Sequence, residues 1–130
     1  MSQLELGTLT PVAPSYTARE VVAILRRYRL PVANEAAMQE ALSRALTAEG
    51  VPHQREVTRG ADRIDFVVGR VGLELKVKGS LSDVTRQLYR YVKWDDLDQV
   101  ILVTTIAKHA HIPRELGGKP IQVHIVRGMF

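Results

Sequence analysis

Apolar and polar residues change their period several times along this chain, and each change marks an element. Val21, Val22, Leu25 and Tyr28 recur at helical spacing behind Thr17 and Glu20, which form a capping box, until Leu30-Pro31 stops the run. A second helix is predicted over residues 34–49: Asn34 can cap it, Met38, Leu42, Ala45 and Leu46 share one face, and Gly50 ends it. From Val51 the period becomes two, and VPHQREVT, ADRIDFVV and VGLELKVK read as three strands separated by Arg59-Gly60 and Gly69-Arg70. Helical spacing returns in SLSDVTRQLYRYVKW, where Leu81, Val84, Leu88, Tyr91 and Val92 fall on one side and Ser80 or Ser82 can cap. QVILVTT is a nearly unbroken apolar run, as expected of a strand covered on both faces. A loop with His109, Pro113 and Gly117-Gly118 leads to PIQVHIV, a last alternating strand.

This order predicts an α/β fold with a mixed sheet and one right-handed helical crossover into the strand at 99–105. Residues 1–16, with Gly7, Pro11 and Pro14 and no sustained periodicity, read as a flexible N-terminal arm, and residues 17–130 as a single domain. Hydrophobic residues make up 45% of the 130 and charged residues 25%, which fits one packed core and excludes a mainly disordered chain. Cysteine is absent, excluding disulfide scaffolds, thiolate zinc sites and cysteine nucleophiles. No apolar run approaches the roughly 20 residues of a membrane span, and the N-terminus lacks a basic head and an apolar signal core. A cytoplasmic protein without a membrane partner is the expectation.

Charge sharpens the picture by its placement. The net charge is +4, and residues 1–54 and 94–130 are each balanced, so the excess lies in residues 55–93. There, nine basic side chains (Arg55, Arg59, Arg63, Arg70, Lys76, Lys78, Arg86, Arg90, Lys93) face five acidic ones, which points to a polyanion as partner.

The same stretch holds the candidate chemistry. Gly69-Arg70 is a two-residue loop with Gly first, the signature of a type II′ hairpin, so the register can be written: Val68 faces Val71, Phe66 faces Leu73, and Asp65 faces Glu74. Alternation then puts Ile64, Phe66 and Val68 on one face and Asp65, Glu74 and Lys76 on the other. Two carboxylates opposed across a hairpin, with Cβ atoms roughly 4.5–5.5 Å apart, destabilise an ordinary sheet. A hard divalent cation reverses that sign, because Mg²⁺ takes one or two carboxylates together with water and phosphate oxygens. In the 34–49 helix, Glu35 shares the face of Met38, Leu42 and Leu46, whereas Glu40 points away with Arg44. Gln87 and Tyr91, four apart, are neighbours on the crossover helix at the rim of its apolar face.

Taken together, IDF with Asp65, ELK with Glu74 and Lys76, QLYRY with Gln87 and Tyr91, and the first-helix Glu35 resemble the PD-(D/E)XK nuclease superfamily, in particular its resolvase and exonuclease-like branch. The resemblance covers about residues 34–126, with Ile64-Asp65 in place of the family's Pro-Asp. It implies a restriction-endonuclease-like mixed sheet with core order α-β-β-β-α-β, extended here by an N-terminal helix and a C-terminal strand. It also implies metal-dependent hydrolysis of DNA, structure- or end-directed, with Asp65, Glu74, the Leu75 carbonyl and Glu35 holding Mg²⁺ or Mn²⁺. In that scheme Lys76 orients the attacking water and helps to deprotonate it, while Gln87 and Tyr91 position the lysine or a phosphate. Arg63, Lys78, Arg86, Arg90 and Lys93 are the candidate backbone contacts.

The expected partner is DNA, with RNA left open, and the protein is expected to work as a homodimer or within a larger nuclease complex. A non-catalytic nucleic-acid-binding or assembly module on the same fold is the alternative. His53, His109, His111 and His124 read as loop residues with no third ligand beside them, and Trp94 as a lid on the core.

Overall fold

In the computed structural model the described residues are 15–129; most of the expected N-terminal arm lies outside them. The chain runs α1 (Ala18–Leu25), β1 (Leu30–Pro31), α2 (Glu35–Ala48), β2 (Gln54–Arg59), β3 (Asp62–Val68), β4 (Val71–Lys76), α3 (Leu81–Tyr91) and β5 (Gln99–Thr104). A short 3-10 helix (Ala107–His111), β6 (Glu115–Leu116), β7 (Lys119–Ile125) and β8 (Gly128–Met129) complete it. The three helices begin where side-chain oxygens satisfy their first amides. Thr17 and Glu20 form the reciprocal capping box, Asn34 accepts from the Ala37 N–H at 2.8 Å, and Ser80 accepts from the Asp83 N–H at 3.1 Å. α1 ends at Leu25, short of Pro31, because the chain beyond it turns so that Leu30 can pair with Gly128 in a small parallel β1–β8 ladder.

Six strands form a mixed sheet in the order β2-β3-β4-β5-β7-β6. β2, β3 and β4 are an antiparallel meander; β4, β5 and β7 are parallel, with α3 carrying the crossover from β4 to β5. α1 and α2 cover one face, where Val21, Leu25, Met38 and Leu42 meet Phe66 and Leu73. α3 belongs to the other, where Val84, Leu88 and Tyr91 meet Val100 and Leu102. β5 serves both layers: Ile101 and Val103 belong to the first core, Val100 and Leu102 to the second, and all four are fully buried. This explains the unbroken apolar run in its sequence.

The alternation expected along β3 fails at Asp65. Phe66 and Val68 join the α1/α2 core as expected, but Ile64 packs in the α3 core. The β2–β3 ladder pairs Arg55 with Phe66 and Val57 with Ile64 and skips Glu56 and Asp65 between them. Glu56 has φ 51°, the one positive φ of a non-glycine among the described residues, so the extended path of β2 breaks there. Arg55 then lies over Phe66 while Val57 packs on the α3 side. Gly72 makes room for the displaced isoleucine, since an added Cβ would sit 2.5 Å from Ile64 Cδ1 and 3.0 Å from Leu97 Cδ1.

Candidate functional site

The β3–β4 hairpin keeps the expected register, Val68 with Val71 and Phe66 with Leu73, and Gly69 supplies the positive φ of 59° that its turn needs. The ladder stops one step before Asp65 and Glu74, where side chains replace backbone carbonyls as acceptors. The Leu75 N–H donates to Asp65 Oδ2 at 2.8 Å, and the Asp65 N–H donates to Glu74 Oε1 at 3.3 Å. The two carboxylates are thus joined through the backbones of their own strands.

Glu74 is 4% exposed. Gln87 Nε2 donates to its Oε2 at 2.8 Å, and Lys76 Nζ lies 3.5 Å from the same oxygen. Burial, and then the charge of Asp65, pushes the Glu74 carboxyl up to about 8. Burial raises Asp65 as well, opposed by the Leu75 amide, with the charge of Glu35 adding to the rise. Gln87 Nε2 also donates to the Tyr91 hydroxyl at 2.8 Å, and that hydroxyl donates to the Arg63 carbonyl at 2.6 Å. Tyr91 is buried within the α3 core, not at its rim. Its hydroxyl is raised by burial first and by the Glu74 charge second. Gln87 and Tyr91 therefore hold Glu74 and the start of β3 in this structure.

α2 brings two residues to the cluster from the other side. Glu35 Oε2 accepts from the Val77 N–H at 3.2 Å, which takes Val77 out of the strand predicted to run on to Lys78 and ends β4 at Lys76. Gln39, one turn further on, donates from Nε2 to Asp65 Oδ1 at 3.2 Å while its Oε1 accepts from Arg55 at 2.8 Å. Sequence reasoning missed Gln39, although its i,i+4 spacing from Glu35 places both on one helix face. Glu40 is exposed and pairs with Arg55 at 2.7 Å, as expected of the helix's outer side. Asp65, Glu74, Lys76, Gln87 and Tyr91 are in this way linked by short contacts at the carboxyl end of β4; Leu75 takes part through its N–H, and Glu35 reaches the same end through the Val77 N–H.

The basic stretch changes character once folded. Of its nine cations, Arg55, Arg59, Arg70, Lys76, Arg86 and Arg90 each stand in an ion pair, leaving Arg63, Lys78 and Lys93 without one among the described residues. Arg86 pairs with Asp83, Arg90 reaches Asp62 at 2.8 Å, and Lys93 Nζ lies 4.7 Å from the Tyr89 ring centroid. His53 lies in a loop as expected, bridging Ser43 Oγ at 3.0 Å and the Val51 carbonyl at 2.9 Å, whereas His124 lies within β7 and His111 in the 3-10 helix. His109 is fully buried in the 3-10 helix. Its Nε2 donates to the Gly79 carbonyl at 2.9 Å, since a carbonyl offers only an acceptor, and its Nδ1 is hydrogen-bonded with Thr104 Oγ1 at 2.7 Å. It ties the loop after β4 to the end of β5 because buried polar groups must find partners. Trp94 is buried edge-on to Tyr91 with Arg59 above it, a lid as expected.

A hard divalent cation fits the donor chemistry of the cluster. Its oxygens come from carboxylates, two of them desolvated, with the Asp65 charge raising Glu74 and the Glu35 charge raising Asp65, and with one lysine in ion-pair distance of Glu74. Among the described residues no three Asp, Glu or His side chains stand as a ready-made metal group, since the carboxylate oxygens turn to amide N–H donors instead. No family model, curated protein or solved structure matches the chain. No helix among the described residues is long and apolar enough to cross a membrane.

Proposed function

We propose that this protein is a metal-dependent nuclease acting on DNA, with its centre at Asp65, Glu74 and Lys76. The observation that carries the reading is the convergence of two desolvated carboxylates, a lysine and a half-buried glutamine at the end of β4. A structural role alone gives no reason to desolvate both Asp65 and Glu74 and to set the Asp65 charge where it raises Glu74 further.

Asp65 and Glu74 would hold Mg²⁺ or Mn²⁺, with Glu35 and the Leu75 carbonyl completing the protein's share of ligands. When bound, the ion supplies Lewis acidity at the phosphoryl group and acidifies a water. Lys76, beside Glu74, orients the attacking water. The water oxygen forms the new P–O bond as the ester P–O bond breaks; the Lys76 ammonium orients the water without taking its proton, which passes to bulk water, and the leaving oxygen is protonated from solvent. Gln87 keeps Glu74 turned toward Lys76, and Tyr91 fixes Gln87 in turn. Gln39 does the same for Asp65 from α2.

A second reading is a binding or assembly module that keeps the fold without turnover, and the engagement of Glu35, Asp65 and Glu74 by internal N–H donors favours it. Incubation with Mn²⁺ and a panel of duplex, single-stranded, nicked, flapped and four-way DNA, with RNA in parallel, separates the two. The nuclease reading expects cutting by the parent and loss of cutting, with binding kept, in Lys76→Ala. Binding without cutting on every substrate would establish the module instead.

A further inference from the structure

The cations that keep free charge do not all lie where the sequence concentrates them. Residues 26–29 read Arg-Arg-Tyr-Arg and follow directly on α1. Tyr28, half-buried, lines two adjoining depressions. One, of about 410 Å³, is bordered by Arg26, His124 and Arg127; the other, of about 370 Å³, by Arg29, Pro31 and Arg44. Arg26, Arg29, Arg44 and Arg127 are exposed, and no carboxylate of a described residue lies within 4.0 Å of any of them. The nearby acids are already engaged: Glu49 binds Arg27 at 2.5 Å and the Tyr28 hydroxyl at 2.6 Å, and Glu40, one turn before Arg44, binds Arg55. The charge of Arg26 is felt at His124, where it adds to burial in holding the imidazole below its usual range.

We propose that this surface, centred on Tyr28, binds the phosphodiester backbone of a nucleic acid. Four guanidinium groups spread over two neighbouring depressions suit successive phosphates along a strand better than one small anion, because each guanidinium takes a phosphate with a planar pair of donors. An aromatic side chain between the two depressions offers a base a face to stack on, which an acidic peptide or a lipid headgroup does not use. α2 joins this surface to the candidate nuclease centre: Glu35 opens the helix at the centre and Arg44 lies nine residues on, about 13 Å along the axis. That the polyanion is a nucleic acid rests on the reading of Asp65, Glu74 and Lys76 as a nuclease centre; the unpaired basic surface does not.

The test uses the full chain in EDTA, with fluorescence anisotropy on single-stranded and duplex DNA 30-mers over a range of salt. Arg29→Glu with Arg44→Glu should weaken binding at least tenfold and flatten its salt dependence. The charge-matched control Arg19→Glu with Arg114→Glu should weaken it less than threefold. Arg127→Glu alone, outside both helices, should weaken binding severalfold and serves if circular dichroism shows the double variant unfolded. Equal losses in the Arg29/Arg44 and Arg19/Arg114 variants, or tighter binding of the parent to poly-glutamate or to phosphatidylserine vesicles than to DNA, would overturn the proposal. If such a variant still cuts DNA with Mn²⁺, only this surface assignment fails. A parent that neither binds nor cuts DNA removes the nuclease reading together with it.

Discussion

Glu74 is a carboxylate held where a carboxylate is costly. Its pKa rises from 4.5 to about 8, so over that interval the folded protein keeps a proton that the unfolded chain has already released. Stability from this group therefore falls as pH rises from 4.5 to about 8 and levels off above; the raised Asp65 acts in the same direction. In EDTA the thermal midpoint should drop between about pH 5 and pH 8, and millimolar Mg²⁺ should restore most of the loss at the higher pH by mass action on the folded state. Calorimetry on Glu74→Gln should show a flatter profile; an equally steep one would locate the effect elsewhere. Glu35 and Glu40 provide an internal control within one helix. Glu35→Gln should lower metal-dependent cleavage by orders of magnitude, whereas Glu40→Gln gives up only an exposed, solvent-screened pair with Arg55 and should cut like the parent. Normal cleavage by both variants removes Glu35 from the mechanism.

At the scale of elements, the hairpin register and the helix caps could be read in advance because they depend on residues within a few positions of each other. Gly69-Arg70, Thr17 with Glu20, Asn34 and Ser80 all act locally. What could not be read depends on partners distant in the chain. β4 ends at Lys76 because Glu35, 42 residues earlier, takes the Val77 amide, and Ile64 changes face because a break at Glu56 in the neighbouring strand reorients it. Gln39 escaped notice for the same reason, since its partner Asp65 is 26 residues away. Gly72 reports the displaced isoleucine. Gly72→Ala should push a methyl group into Ile64 and Leu97 at a cost of about 1–3 kcal/mol, read as a lower urea midpoint. Ile64→Val with Gly72→Ala should recover part of that loss by shortening the side chain that clashes. A neutral Gly72→Ala would mean that Ile64 does not occupy the α3 side.

Across the whole molecule, a net charge of +4 describes the chain less well than the map of which charges are already paired. Arg86 and Arg90, one turn apart on α3, were natural candidates for phosphate contacts, yet in the fold they answer Asp83 and Asp62. A cation already beside a carboxylate gives a smaller gain on meeting phosphate, because the acid stays nearby and repels the strand. Lys78 and Lys93 are exposed and have no such neighbour within ion-pair distance among the described residues. Each free phosphate contact contributes about 0.9 to the slope of log affinity against log salt on duplex DNA. Lys78→Ala with Lys93→Ala should therefore reduce that slope by about 2, while Arg86→Ala with Arg90→Ala should reduce it by less than 1, both measured in EDTA on one duplex. A larger drop for the arginine pair would show that Asp83 and Asp62 release their partners when DNA binds, and would make α3 the principal track of the strand.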